Sequence, residues 1–184
     1  QPYGFFVDIA AKIKANVHVP VSTVGRIIDP AMAERIVACG KADIVGLGRP
    51  LLADPDWGTK IEAGRACDIR RCISCNKGCT DAIQERRFIS CVLNAENGCE
   101  NVRSITPADV KKKVAVIGGG PAGLEAARVA ALRGHSVTLF ERETELGGQL
   151  NLACLPPRKS EMRRATQDLI HAVQRAGVRL CLGC

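Results

Sequence analysis

Three cysteines fall within the stretch CISCNKGC, at positions 72, 75 and 79, and a fourth, Cys91, follows after eleven intervening residues. Thiols at this density do one of three things. Four thiolates satisfy a [4Fe–4S] cluster. Four also satisfy a structural zinc ion, usually as two C-x2-C knuckles. In an oxidising compartment they pair as disulfides. Only Cys72 and Cys75 have the knuckle spacing, so C-x2-C-x3-C-x11-C favours iron–sulfur over zinc, and spacing alone leaves all three open. Cys67 and Cys99 flank the segment and are read as non-ligands. Cys39, Cys154, Cys181 and Cys184 read as small core or strand residues.

A second constellation is GGGPAG. Gly118, Gly120 and Gly123 fit G-x-G-x-x-G after the strand-like VAVI and ahead of the helical LEAARVAAL. The first glycine permits a tight turn, the second lets a pyrophosphate approach the backbone, and the third allows close helix–strand packing. A helix N-terminus there offers free N–H groups and a positive dipole end to phosphate. Glu141 closes the next strand-like run eighteen residues after Gly123, where a carboxylate can accept hydrogen bonds from a ribose. The full context of strand, turn, helix, strand and acid points to a dinucleotide site rather than a structural turn.

A third pattern pairs glycine with arginine after two strand-like runs, as Gly25-Arg26 and Gly48-Arg49. Backbone N–H groups at such turns and the planar guanidinium fork suit phosphate oxygens. On the residues alone, two ordinary surface arginines explain them equally well. His18, His135 and His171 have no partner at metal or catalytic spacing and read as structural or solvent-facing.

The elements that must position these groups divide the chain in three. Residues 1–66 alternate helix and strand. Phe6, Ile9, Ala10 and Ile13 recur at helical spacing, and HVPVSTVG is a short buried strand. Asp29-Pro30 caps and starts a helix with Met32, Ile36 and Val37 on its buried face, which Gly40 ends. ADIVGLG is a second strand, and Asp54-Pro55 starts a helix that ends at Gly64. This is the rhythm of parallel α/β architecture. Residues 67–110 lack periodicity and are organised by whatever the cysteines bind. Residues 111–184 begin at a solvated KKK run and give strand, glycine turn, helix and strand, then a helix from Ser160 to Gly177 and a final strand.

Bulk properties exclude several classes. The 184 residues are 46% hydrophobic and 24% charged, a globular composition, with no membrane-length apolar run and no signal peptide at QPYGFFVDIA. A net charge of +7 raises nucleic acid, but the basic residues are dispersed and aromatic content is 3%, so a solvated basic surface accounts for it. Ten cysteines in a chain read as cytoplasmic favour metal or redox chemistry over disulfides. The missing start Met, an opening within a helix and a stop on VRLCLGC read as a fragment.

Taken together, these residues resemble the iron–sulfur branch of the old yellow enzyme superfamily, which includes 2,4-dienoyl-CoA reductase, enoate reductase and trimethylamine dehydrogenase. The matching stretches are VGRIIDPAMAERIVACGKADIVGLGRPLLADPDW, CISCNKGC with Cys91, and VAVIGGGPAGLEAARVAALRGHSVTLFERETELGGQLNLA. The resemblance implies an α/β fold: the last two strands of an eight-stranded TIM (β/α)8 barrel binding FMN (1–66), an irregular [4Fe–4S] segment (67–110), and the truncated start of a Rossmann-like FAD domain (111–184). It implies Arg26, Gly48 and Arg49 at FMN-phosphate positions and Cys72, Cys75, Cys79 and Cys91 as cluster ligands. It places Gly118, Gly120, Ala122, Gly123, Glu141, Gln149 and Lys159 at FAD-binding positions. Ala95 stands where relatives commonly carry Pro, and Cys99 where Arg is frequent. The family's catalytic acid lies on earlier barrel strands, so no catalytic residue falls within this chain.

The function so implied is an NAD(P)H-dependent oxidoreductase reducing the activated C=C bond of a small enoate or enoyl-CoA-type substrate, with electrons passing from NAD(P)H to FAD to cluster to FMN. It has no nucleic-acid or membrane partner, and homo-oligomerisation stays open. The alternatives are an amine dehydrogenase of the trimethylamine dehydrogenase type, passing electrons to an electron-transfer protein, and a non-redox, zinc-stabilised nucleotide-binding module. The isolated fragment is expected to be inactive and to expose apolar edges.

Overall fold

The computed structural model describes residues 1–184 and divides into two compact units, Gln1–Asn97 and Gly98–Cys184. Both are mixed α/β structures built on parallel strand pairs.

The first unit runs α1 (Val7–Lys14), β1 (Ser22–Thr23), α2 (Pro30–Ala38), β2 (Ile44–Val45), α3 (Arg49–Ala53) and α4 (Trp57–Glu62). Strands β1 and β2 pair in parallel, Ser22 with Ile44 and Thr23 with Val45. The Asp43 carboxylate locks the pair by accepting from the Val21 amide at 2.9 Å and binding Lys14 at 2.5 Å. Those two bonds, led by Lys14, hold the Asp43 carboxyl below its ordinary range. Helix α2 begins as expected: the Asp29 side chain accepts from the Ala31 amide at 3.1 Å, and Pro30 follows at the first helical position. The core joins Val7, Ile27, Ile36 and Ala42, with Met32, Ala33, Val45 and Leu47 packed against it.

Several expectations change here. The apolar stripe of α1 buries Val7 and Ala10 but leaves Phe6, Ile9 and Ile13 exposed, and Val37 on α2 is exposed too. The strands expected around residues 18–25 and 42–48 shorten to two paired residues each. A helix over Arg49–Ala53 was not foreseen, although Pro50 next to its start is a helix-initiation signal. The helix expected at Asp54-Pro55 begins at Trp57 instead, although the Asp54 side chain still accepts from the Asp56 amide at 3.2 Å. Beyond a 3-10 turn at Ala66–Asp68 and α5 (Thr80–Gln84), the cysteine-bearing stretch is irregular.

The second unit runs α6 (Glu100–Arg103), β3 (Lys113–Ile117), α7 (Pro121–Leu132), β4 (Ser136–Glu141), α8 (Leu150–Ala153), α9 (Ser160–Arg175) and β5 (Arg179–Leu182). The sheet order is β3-β4-β5, all parallel; Lys113 pairs with Ser136 and Thr138 with Arg179. Leu124 and Ala127 of α7 and Val173 of α9 close over Val137 and Leu139 of β4, joined by Leu146 and Val178. Full burial of the Leu124 and Leu139 side chains contributes about 1.5–3 kcal/mol each. His135 serves the backbone: its Nδ1 accepts from the Lys112 amide at 3.1 Å. No helix is long and apolar enough to cross a membrane.

All ten cysteines are free thiols. Cys154 is buried and Cys181 lies on β5, as expected of small core and strand residues, whereas Cys39 and Cys184 are exposed.

Candidate functional site

The first unit gathers Cys72, Cys75, Cys79 and Cys91 onto one pocket, an open space of about 310 Å³ also lined by Arg49 and Asn76. Cys72 is buried against Ile28 and Ala53, with Cys91 packed on that cluster. Cys75 is exposed, and Cys79 and Cys91 are intermediate. Gly78 and Ser90 draw the two cysteine-bearing strands of chain together: the Ser90 amide donates to the Gly78 carbonyl at 2.6 Å. A Cβ on Gly78 would fall 2.5 Å from the Ser90 carbonyl oxygen, so no larger residue permits that approach.

Burial pushes the Cys91 thiol up; the Leu93 and Asn94 amides oppose the rise, and Cys72 and Cys75 add to it. Four thiolates at one site repel one another, and bound metal is what lets all of them ionise together. The donor set, all sulfur, is that of zinc or an iron–sulfur centre, and the pocket therefore fits a cluster.

The turn carrying Cys75 is conformationally costly. Ser74 (φ 54°) and Asn76 (φ 64°) lie in the left-handed region, which costs roughly 1–2 kcal/mol at an ordinary residue and less at Asn. The Ser74 amide donates to the Cys72 sulfur at 3.3 Å. Two arginines hold the turn's side chains. Arg26 Nε donates to Ser74 Oγ at 3.1 Å, while its guanidinium stacks 4.5 Å above the Tyr3 ring. Arg49 Nη1 donates to Asn76 Oδ1. The half-buried Arg49 has no carboxylate partner. Gly48, just before it, is exposed, and a Cβ there would meet nothing within 4 Å. The structure thus brings Arg26 and Arg49 onto the cysteine turn, a placement their spacing in the sequence does not reveal.

Two further residues set the frame. Asp54 is only 3% exposed. It accepts from Lys60 Nζ at 2.6 and 2.8 Å and from the Arg70 amide at 2.7 Å, two residues before Cys72. The buried Asn94 donates to the Leu52 carbonyl at 3.1 Å and accepts from the Glu96 amide at 3.2 Å, pinning the Cys91 turn to α3. Sequence reasoning missed Ser74, Asn76, Asp54 and Asn94 as supports. Only Asn76 carried a readable signal, since Asn tolerates the left-handed region.

The second unit builds the glycine turn between β3 and α7. Gly118 adopts φ 99°, and its amide donates to the Phe140 carbonyl at 2.8 Å. Gly123 sits where a Cβ would come within 1.9 Å of the Gly118 carbonyl oxygen. Gly120 differs: its φ is −73° and a Cβ would meet nothing within 4 Å. Neither backbone nor packing requires glycine there, and the space beside its Cα is open to an approach from outside the chain. Glu141 accepts from the Gly119 amide at 2.5 Å and the Glu143 amide at 2.9 Å. These bonds, Glu143 first, hold its carboxyl below the usual range. A carboxylate has about four acceptor positions, so these backbone bonds do not exhaust it.

Gly147 and Gly148 pack on the turn, the Gly147 amide donating to the Gly119 carbonyl at 2.8 Å. That carries the exposed Gln149, at the start of α8, alongside it. Ala122 lies in the first turn of α7. Lys159 is exposed ahead of α9 and makes no hydrogen bond to the turn.

A thiol pocket held by arginines in one parallel α/β unit, and a glycine turn with its acid in the other, belong together in one class of redox protein. The chain belongs to the old yellow enzyme-like superfamily of flavin oxidoreductases: residues 6–68 match the NADH:flavin oxidoreductase / NADH oxidase family, and residues 113–179 the FAD dependent oxidoreductase family. It is 61% identical over 183 residues to a bilirubin reductase of Mediterraneibacter gnavus, covering 100% of this chain and 28% of that protein. It is 46% identical over 182 residues to an NADH oxidase of Thermoanaerobacter brockii, covering 98% of this chain and 28% of the relative. The solved structure of a 2-naphthoyl-CoA reductase in complex with 2-naphthoyl-CoA superposes with a TM-score of 0.95 at 34% identity, over 100% of this chain and 28% of that one. The chain therefore spans between a quarter and a third of each relative's length.

Proposed function

We propose that residues 1–66 are the end of an FMN-binding (β/α)8 barrel, residues 67–110 a [4Fe–4S] segment, and residues 111–184 the start of a Rossmann-like FAD domain. The full-length protein is then an NAD(P)H-dependent flavin oxidoreductase that reduces an activated C=C bond of a small conjugated substrate. Electrons pass from NAD(P)H through FAD and the cluster to FMN. The observation that carries this reading is the convergence of Cys72, Cys75, Cys79 and Cys91 on one pocket whose wall includes Arg49. Relatives named as a bilirubin reductase and a 2-naphthoyl-CoA reductase support a reductase acting on an unsaturated small molecule.

When bound, the cofactors supply hydride and single-electron chemistry; the protein supplies binding, orientation and electrostatics. Cys72, Cys75, Cys79 and Cys91 hold the cluster. The backbone at Gly48 with Arg26 and Arg49 receives the FMN phosphate. The turn at Gly118, Gly120 and Gly123, opening α7 at Ala122, receives the FAD pyrophosphate; Glu141 takes the ribose, and Gln149 and Lys159 complete the site.

The test is anaerobic purification of the full-length protein, with iron, zinc, labile sulfide and released flavins measured together. About four irons and four sulfides with both FMN and FAD are expected, and Cys75→Ala should abolish NADH-driven reduction of FMN. A colourless zinc protein overturns the reading. FMN accompanied by ADP instead of FAD indicates an amine dehydrogenase.

A further inference from the structure

We infer that Arg26 and Arg49 form a clamp shared by the FMN phosphate and the Cys75 turn, so that FMN and the cluster bind with positive linkage. The inference rests on the cofactor reading above. It goes further by assigning one pair of side chains to both sites and giving the sign of their coupling.

Cys75 is the exposed ligand of the four, and it stands between two residues in the left-handed region, Ser74 and Asn76. Such a backbone persists only where its surroundings fix it. Here each of the two is fixed by one arginine: Arg26 donates to Ser74 Oγ at 3.1 Å, and Arg49 donates to Asn76 Oδ1. Both arginines arrive from glycine turns that follow the paired strands β1 and β2. The turns that follow β1 and β2 and the Cys75 turn therefore share two long cationic side chains, Arg26 and Arg49.

The sign follows from donor capacity. A guanidinium has five N–H donors, and Asn76 engages one nitrogen of Arg49. A phosphate can bind the remaining donors without displacing Asn76. Ordering the side chain for one ligand removes that ordering cost for the other, which is positive cooperativity. Reciprocity requires the cluster to tighten FMN by the factor by which FMN tightens the cluster.

The experiment uses the full-length protein without oxygen. FMN affinity is measured by flavin fluorescence in cluster-loaded and chelator-stripped protein, and iron loss to a chelator is timed with and without FMN. In the parent, FMN should bind about 5-fold or more tightly when the cluster is present, and FMN should slow iron loss. The double variant Ser74→Gly with Asn76→Gly removes both acceptors while glycine tolerates the left-handed backbone. Its affinity ratio should fall towards one, with each single variant intermediate. Equal FMN affinity with and without cluster in the parent overturns the clamp. So does a ratio unchanged in the double variant, which is the result expected if the coupling runs through groups other than the two arginine contacts. A protein that takes up no iron or no FMN overturns the cofactor reading, and this inference with it.

Discussion

Gly120 and Gly123 lie three residues apart in one turn, and substituting each by alanine separates what the fold needs from what a ligand needs. At Gly123 a Cβ would stand 1.9 Å from the Gly118 carbonyl oxygen and 3.0 Å from its carbon, both backbone atoms. The start of α7 must move away from β3 to admit it. Overpacking costs about 1–3 kcal/mol and occasionally more, and contact with rigid backbone places this case at the upper end. At Gly120 a Cβ meets no protein atom within 4 Å, and φ −73° suits alanine. Two small effects oppose there. Restricting the unfolded chain stabilises by about 0.4–1 kcal/mol, while alanine as the residue capping α7 costs a similar amount. The net change should stay within about 1 kcal/mol. Thermal unfolding and FAD titration of the flavin-stripped full-length protein make the comparison. Gly123→Ala should lower the melting temperature markedly. Gly120→Ala should melt like the parent yet lose FAD affinity at least about 10-fold, since a close approach of pyrophosphate to backbone is what its Cβ obstructs. Parent-like FAD affinity in Gly120→Ala would refute the argument that its glycine serves a ligand.

Asp54→Asn leaves Lys60, whose side chain is 19% exposed, without its partner; because that ammonium keeps some water, the loss should be about 2–3 kcal/mol, below the range for a fully buried pair, seen as roughly 30- to 160-fold faster hydrogen exchange at the Arg70 amide. Glu141 is held below the ordinary carboxylate range by the Glu143 and Gly119 amides, so its contribution is complete above about pH 4.3 and disappears as pH falls through the lower folded value; Glu141→Gln should flatten the acid side of the melting-temperature profile, and an unchanged profile would count against that role. Cys91→Ser should lose most of the iron, whereas Cys67→Ser should keep it, because Cys91 lines the thiol pocket and Cys67 does not; iron analysis of the two variants decides.

What could be read in the sequence follows from how locally each feature is specified. The Asp29 cap, the glycine turn and the 160–175 helix are encoded within a few neighbouring residues, and they appear where expected. The paired strands β1 and β2 depend on partners far along the chain, and their residues supply only two paired positions each. Helical spacing at Ile9 and Ile13 promised a buried stripe, yet within residues 1–97 the apolar surface offered to α1 reaches only Val7 and Ala10. Periodicity states which face is apolar; it does not state how much of it is covered. The candidate site divides the same way. Ligand types and spacing were readable because sulfur chemistry constrains them. The supports were not, because Asp54 reaches Arg70 across sixteen residues, Arg49 reaches Asn76 across twenty-seven, and Arg26 reaches Ser74 across forty-eight. Those spans explain why an arginine that looks like an ordinary surface residue in the text can be the one that fixes a cysteine. An Arg49→Lys change, conservative by charge, would lose the planar fork needed to hold Asn76 and an anion at once, and should therefore weaken iron retention and flavin binding together rather than either alone.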